Sequence, residues 1–205
     1  MLPQPLSRVV AAFLTLLSTG GVAEAHPHVW VDTIVTALFD HGQVTALREE
    51  WWFDEEFTVE ALSEVRKTKG MAAAVPKPLT QVEVVQLQEK AFSNLANYSY
   101  FTHVWSGGKV IGLGKQVSSF LARMDGAKLA YSFTLPLAVP LDPRAASLRV
   151  GVWDDTYYVD VGPAQGQAAR VEGDGSAGCK ARVIDDKDHK IYFGSVIPKV
   201  VEITC

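Results

Sequence analysis

Apolar side chains alternate with polar ones over 28–39: Val29, Val31, Val35, Ala37 and Phe39 fall on one face, and His28, Trp30 and Asp32 on the other. A period of two is that of a β-strand with one side on a core. Asp40-His41-Gly42-Gln43 reads as a turn and Val44 to Phe53 as a returning strand, which predicts a hairpin. After Phe53 the period lengthens, with Phe57, Ala61 and Val65 every fourth position. Asp54 suits an N-cap, and Glu55 and Glu56 occupy the first turn, where the helix dipole favours negative charge, so a helix of about three turns is predicted. The stretch 70–78 reads as a linker. Thr80 and Glu83 have capping-box spacing before a second helix with Val84, Leu87, Ala91 and Leu95 on one face.

Beyond Asn97 the pattern is that of short β-rich runs parted by Gly, Pro or Asp, over 98–105, 117–124, 129–135, 148–153, 157–161, 181–184 and 196–203. The expected fold is mainly β within the α+β class: an antiparallel β-sandwich of about eight or nine strands with a two-helix insertion at about 54–97.

The first 25 residues change the picture of where this fold resides. Arg8, an apolar run from Val9 to Leu17 and Ala23-Glu24-Ala25 have the order of a secretory signal peptide, so the expected mature chain starts at His26 and lies in the periplasm as one domain over 26–205. No later stretch approaches the roughly 18 uninterrupted apolar residues of a membrane helix, so a membrane-embedded protein is not expected. The net charge of −4 comes without a basic stripe, which argues against nucleic acid as a partner. Cys179 and Cys205 are the two cysteines. An oxidising compartment favours a disulfide between them, with a free or metal-bound thiol pair as the alternative.

Candidate chemistry is concentrated in nitrogen donors. Cleavage before His26 would join an imidazole to a free α-amino group, with His28 two residues on. Such donors suit late first-row divalent ions, zinc foremost and nickel, cobalt or copper besides. Pro27 lacks an amide N–H, so a square-planar chelate through deprotonated amides cannot form. The opposing reading of His26 and His28 is a frayed terminus. His103 sits between Phe101 and Trp105 on a predicted strand, where partial burial would keep it neutral and able to ligate, although a histidine among aromatics also suits a core. Asp154, with Asp155 and Asp160 nearby, is the candidate carboxylate, its alternative role being that of a turn residue. Asp54, Glu55 and Glu56 are accounted for by helix capping, and 185–189 by a solvated loop. The sequence has no glycine-rich phosphate loop, nucleophile elbow or HExxH helix.

Four segments also carry a resemblance: His26-Pro27-His28-Val29-Trp30-Val31-Asp32, Phe53-Asp54-Glu55 with Phe57, Asn94-Leu95 through Tyr98 and Tyr100-Phe101-Thr102-His103, and Asp154 with Thr156-Tyr157-Tyr158-Val159-Asp160. In that order they resemble the domain of unknown function 1007 family. The resemblance implies a periplasmic component of an ABC-type transport system, in the neighbourhood of nickel, cobalt or zinc transport. This chain departs from it in carrying Lys67-Thr68-Lys69-Gly70-Met71 in place of an acidic, calcium-loop-like stretch, and Asp155 in place of a proline. The expected function is that of a metal-capturing accessory protein using His26, His28, His103 and Asp154, with an inner-membrane transporter or permease as partner. Two alternatives are a non-metal module docking through aromatics such as Trp30 and Trp52, and a copper enzyme with an N-terminal histidine chelate.

Overall fold

A computed structural model describes residues 27–205; the leader reading over 1–25 and the candidate ligand His26 fall outside the described residues. Among the described residues eleven strands form two sheets. The first sheet holds β1 (Val29–Asp40), β2 (Gln43–Phe53), β5 (Ser118–Asp125), β6 (Lys128–Leu141), β8 (Val159–Pro163) and β9 (Ala169–Gly173). The second runs β10 (Lys180–Asp185), β11 (Lys199–Thr204), β7 (Leu148–Val152), β3 (Thr102–Ser106), β4 (Lys109–Val110). Between β2 and β3 lie the helices α1 (Glu55–Arg66) and α2 (Gln81–Lys90). The chain is thus a mainly β sandwich with a helical insertion, as its patterning predicts.

The alternating face of β1 is buried as expected: Val31, Val35, Ala37 and Phe39 share one core with Leu47, Trp51 and Phe53 of β2 and with Val104, Leu148, Val150 and Ile203 of the opposite sheet. Burying aliphatic and aromatic side chains of this size stabilises by about 1.5–3 kcal/mol each, before the entropy of ordering them is subtracted. One edge departs from an all-antiparallel plan. β8 pairs parallel with the first half of β1 and β9 with its second half. The 164–168 stretch between them leaves the edge and returns to it, tied by Ala164 N–H to the Thr33 carbonyl at 2.9 Å and Val35 N–H to the Ala168 carbonyl at 3.0 Å.

Asp54 caps α1 through the Phe57 amide at 2.8 Å, and its second oxygen accepts the Trp30 amide at 2.8 Å, so one carboxylate ties the helix to the start of β1. The Thr80–Glu83 capping box is formed in both directions. Glu83 also accepts from Arg66 at 2.9 Å, while Arg66 donates to the carbonyls of Ala73, Val75 and Lys77. That guanidinium joins the end of α1, the linker and the start of α2. Inside the core cluster Leu62 and Leu87 carry the buried faces of the two helices.

The predicted strand 98–105 starts four residues later. α2 is followed by 3-10 turns over Phe92–Phe101, in which Ser99, Tyr100 and Phe101 take φ of 51°, 54° and 55°. A left-handed run is unfavourable for L-residues, by roughly 1–2 kcal/mol each. Ring packing offsets it: Tyr100 lies 5.2 Å from Phe92, and Phe101 stacks on Trp51 at 6.4 Å. Tertiary contact therefore overrides the β-propensity of Tyr98-Ser99-Tyr100-Phe101. At the other edge Cys179 and Cys205 form the expected disulfide, one residue beyond the Lys180–Thr204 pair of β10 and β11.

Candidate functional site

The left-handed turn at 99–101 opens the chain into β3 beside the loop that follows β7, and a cleft of about 490 Å³ lies between them. Tyr98, His103, Trp153, Asp154, Asp155 and Tyr158 are among its walls. Residues some fifty positions apart meet here because β3 and β7 are neighbours, with His103 opposite Gly151.

The His103 ring stacks on Trp153, centroids 4.4 Å apart and planes 15° apart. Gly151 permits this: a Cβ at that position would fall on the Trp153 indole. The imidazole Nε2 lies 3.3 Å from the Trp153 carbonyl oxygen. A carbonyl only accepts, so Nε2 carries the proton, and in the neutral ring Nδ1 keeps its lone pair. Burial lowers the His103 pKa below the usual histidine range; the Trp153 hydrogen bond and the nearby Asp155 oppose that shift, and His189 adds to it. His103 is thus an oriented neutral imidazole whose N–H is anchored on backbone, the second-sphere pattern common to metal-binding histidines.

Asp154 is committed elsewhere. Its carboxylate accepts from the Thr156 amide at 2.9 Å, the Thr156 hydroxyl at 2.8 Å, and the amides of Tyr158 and Val159, both at 3.2 Å. It organises the 154–158 turn, in keeping with the turn role weighed for it. Asp155 is the exposed carboxylate of the cleft, and one of its oxygens accepts the Trp153 indole N–H at 3.0 Å. His28 reaches the same neighbourhood from β1: its amide donates to the Tyr158 carbonyl at 2.9 Å, and its ring packs on Tyr158 at 4.9 Å. The cleft therefore gathers His103, Asp154 and Asp155, with His28 on its Tyr158 wall. Among the described residues no three His, Cys, Asp or Glu side chains form a group able to hold a metal ion.

One histidine was missed by sequence reasoning, which assigned 185–189 to a solvated loop. Asp186 in that loop is buried and accepts His189 Nδ1 at 2.8 Å, and the His189 ring stacks on Trp105 at 4.5 Å. Burial pushes the Asp186 carboxyl up, but its hydrogen bonds to His189 and to the Asp188 amide outweigh this and hold it below the usual carboxylate range. Trp105 also lies 5.9 Å from His103, so both histidines pack near one indole. The Asp-x-x-His spacing was visible; the pairing of the loop with β3 was not. Of the two tryptophans considered for docking, Trp30 is 48% exposed. Trp52 is half-buried and engaged at the surface, donating to Asp125 at 2.8 Å beneath the Arg123 guanidinium. None of the described helices is long and apolar enough to cross a membrane.

Two relatives extend the picture. A Haemophilus influenzae sequence named "Uncharacterized protein" is 24% identical over 136 residues, covering 66% of this chain and 61% of the relative. The "Uncharacterized 15.5 kDa protein in trpE 3'region" of Spirochaeta aurantia is 31% identical over 123 residues, covering 60% of this chain and 86% of the relative. The match to the first relative therefore spans less than two thirds of that protein's length. With residues 10–193 matched by the family model, this chain belongs to the DUF1007 family, described as proteins of unknown function.

Proposed function

We propose that this protein is a periplasmic accessory protein that captures a divalent transition ion, zinc foremost, with nickel, cobalt or copper as further cargo, for an inner-membrane transporter or permease. The observation that carries the reading is His103, a neutral imidazole anchored through its Nε2–H and left with an Nδ1 lone pair, beside the exposed Asp155. An imidazole and a carboxylate fit a late first-row divalent ion. Asp155 replaces Asp154 as the carboxylate, because the oxygens of Asp154 are saturated by the turn.

Two scaffold donors do not complete a tetrahedral set, so the remaining donors are assigned to the N-terminal start, His28 on the Tyr158 wall and His26 two residues before it. No catalytic step is included in this reading. Calorimetric titration of zinc, cobalt and nickel into the protein beginning at His26 tests it. His103→Ala is expected to weaken binding at least tenfold, and a form lacking residues 26–28 to weaken it as much, with affinity falling as acid protonates the imidazoles. Equal binding by wild type and His103→Ala would overturn the assignment.

A further inference from the structure

The turn at 99–101 is fastened to the core through one hydroxyl. Thr102 Oγ1 lies 2.9 Å from a carboxyl oxygen of Glu49 and 3.0 Å from the Tyr100 carbonyl oxygen. A hydroxyl has one proton to donate, and an ionised carboxylate and a carbonyl both only accept, so with Glu49 charged one of these two contacts lacks a hydrogen. A proton on Glu49 removes the shortage. Its carboxyl O–H then donates to Thr102 Oγ1, the Thr102 O–H donates to the Tyr100 carbonyl, and the other carboxyl oxygen accepts the Trp51 indole N–H at 2.8 Å. Tyr100 is the middle of the left-handed run Ser99-Tyr100-Phe101, a backbone state that persists in L-residues only where the surroundings hold it. The run shapes the cleft, whose walls include Tyr98 just before it, Phe101 at its end and His103 soon after. Glu49 reaches it by a second route as well, because the Trp51 indole that donates to it stacks on Phe101.

We propose that Glu49, Thr102 and the Tyr100 carbonyl form a proton-operated latch on the cleft wall: with Glu49 protonated the Thr102 hydroxyl holds the Tyr100 carbonyl and the left-handed turn, and when the proton leaves to solvent the hydroxyl rotates to the carboxylate and lets the turn go. The trigger is insulated from other charges. Glu49 is fully buried, opposite Val35 on β1 and Phe133 on β6, and the core around it takes Val104 from β3, Val150 from β7 and Ile203 from β11. The titratable side chains on this side are the phenols of Tyr131, opposite Trp51, and Tyr100, whose ring packs on Phe133 at 5.9 Å; burial raises the pKa of both, so they stay neutral. Burial outweighs the Trp51 and Thr102 hydrogen bonds and lifts the Glu49 pKa to about 7, with no charged neighbour contributing, so the latch works near neutral pH.

The latch belongs to the protein alone, so it is tested on the full protein in chelator, apart from the metal titration. Triple-resonance NMR follows the Glu49 carboxyl carbon and the Tyr100 carbonyl carbon, the latter through the Phe101 amide, from about pH 4 to about pH 9. In wild type both are expected to move with one midpoint, the Tyr100 carbonyl shifting upfield as rising pH removes its hydrogen bond. Glu49→Gln keeps a neutral donor and acceptor in place, so the Tyr100 carbonyl is expected to stay at its low-pH position throughout. Thr102→Val removes the hydroxyl, and the Tyr100 carbonyl is expected at its high-pH position throughout while Glu49 still titrates. Thermal melting shows that each variant is folded. A Tyr100 carbonyl that stays still while Glu49 titrates, a Glu49 carboxyl with one charge state over the whole range, or a Tyr100 response that persists in either variant would each overturn the latch.

Discussion

Glu83 and Glu49 are both withdrawn from solvent, one where the two helices meet and one between the sheets, and they are held in opposite ways. Glu83 accepts from the Arg66 guanidinium, the Thr80 amide and, through its own amide, closes the capping box. Burial pushes its pKa up, but those partners outweigh burial and leave it below the ordinary value. Glu49 accepts only neutral donors, the Trp51 indole N–H at 2.8 Å and the Thr102 hydroxyl at 2.9 Å. Burial prevails there, and its pKa rises to about 7. Full burial among neutral donors thus leaves Glu49 poised to be neutral, while shallower burial beside a guanidinium keeps Glu83 charged. Depth of burial and the presence of a cation decide together.

The difference breaks most severely at Arg66. Arg66→Met strands the Glu83 carboxylate and the part-buried Ala73 carbonyl, and urea unfolding at neutral pH is expected to show a loss of about 3 kcal/mol. Next is the pH profile of Glu49. Its folded pKa lies above the unfolded one, so its contribution is full below about pH 4.5 and is lost as pH rises through about 7. Glu49→Gln should therefore gain on wild type by about 3 kcal/mol between pH 4.5 and 8, measured as the change in the stability difference between the two proteins. A pH-independent difference would mean that Glu49 titrates normally in the fold.

Glu83 has the reverse sign: its contribution is present above the unfolded pKa and lost as pH falls through the lowered folded one. Glu83→Gln is expected to cost about 2 kcal/mol at pH 7 and progressively less in acid, read from denaturant melts across that range. The smallest effect sharpens the Glu49 side. Thr102→Val removes one donor for about 1 kcal/mol and moves the Glu49 titration higher, which carbon-13 NMR of the carboxyl would follow.

The same contrast between local and distant partners separates what was legible in the sequence from what was not. The Asp54 cap and the Thr80–Glu83 box were readable because their partners lie three residues away. Arg66 as the third member of that box was not, since it comes from the preceding helix. The strand expected from 98 begins at Thr102 because Tyr100 and Phe101 find ring partners on β2 and β6, which local propensity does not see. At the candidate site His103 stands out in the sequence from its aromatic neighbours, whereas the engagement of Asp154 within its own turn needed the folded geometry. His189 was overlooked because its anchor, Asp186, is buried only once β10 and β11 enclose the loop.

By itself the sequence determined the mainly β patterning, the two capped helices, the cysteine pair and the family, all of which depend on spacing along the chain or on motif order. The tertiary structure alone decided the parallel pairing of β8 and β9 on β1, the tautomer of His103, and which buried carboxylate keeps its charge. Each of these depends on groups brought together from distant segments, and the energy of a polar or charged group in a low-dielectric interior is set by those neighbours rather than by its own residue type.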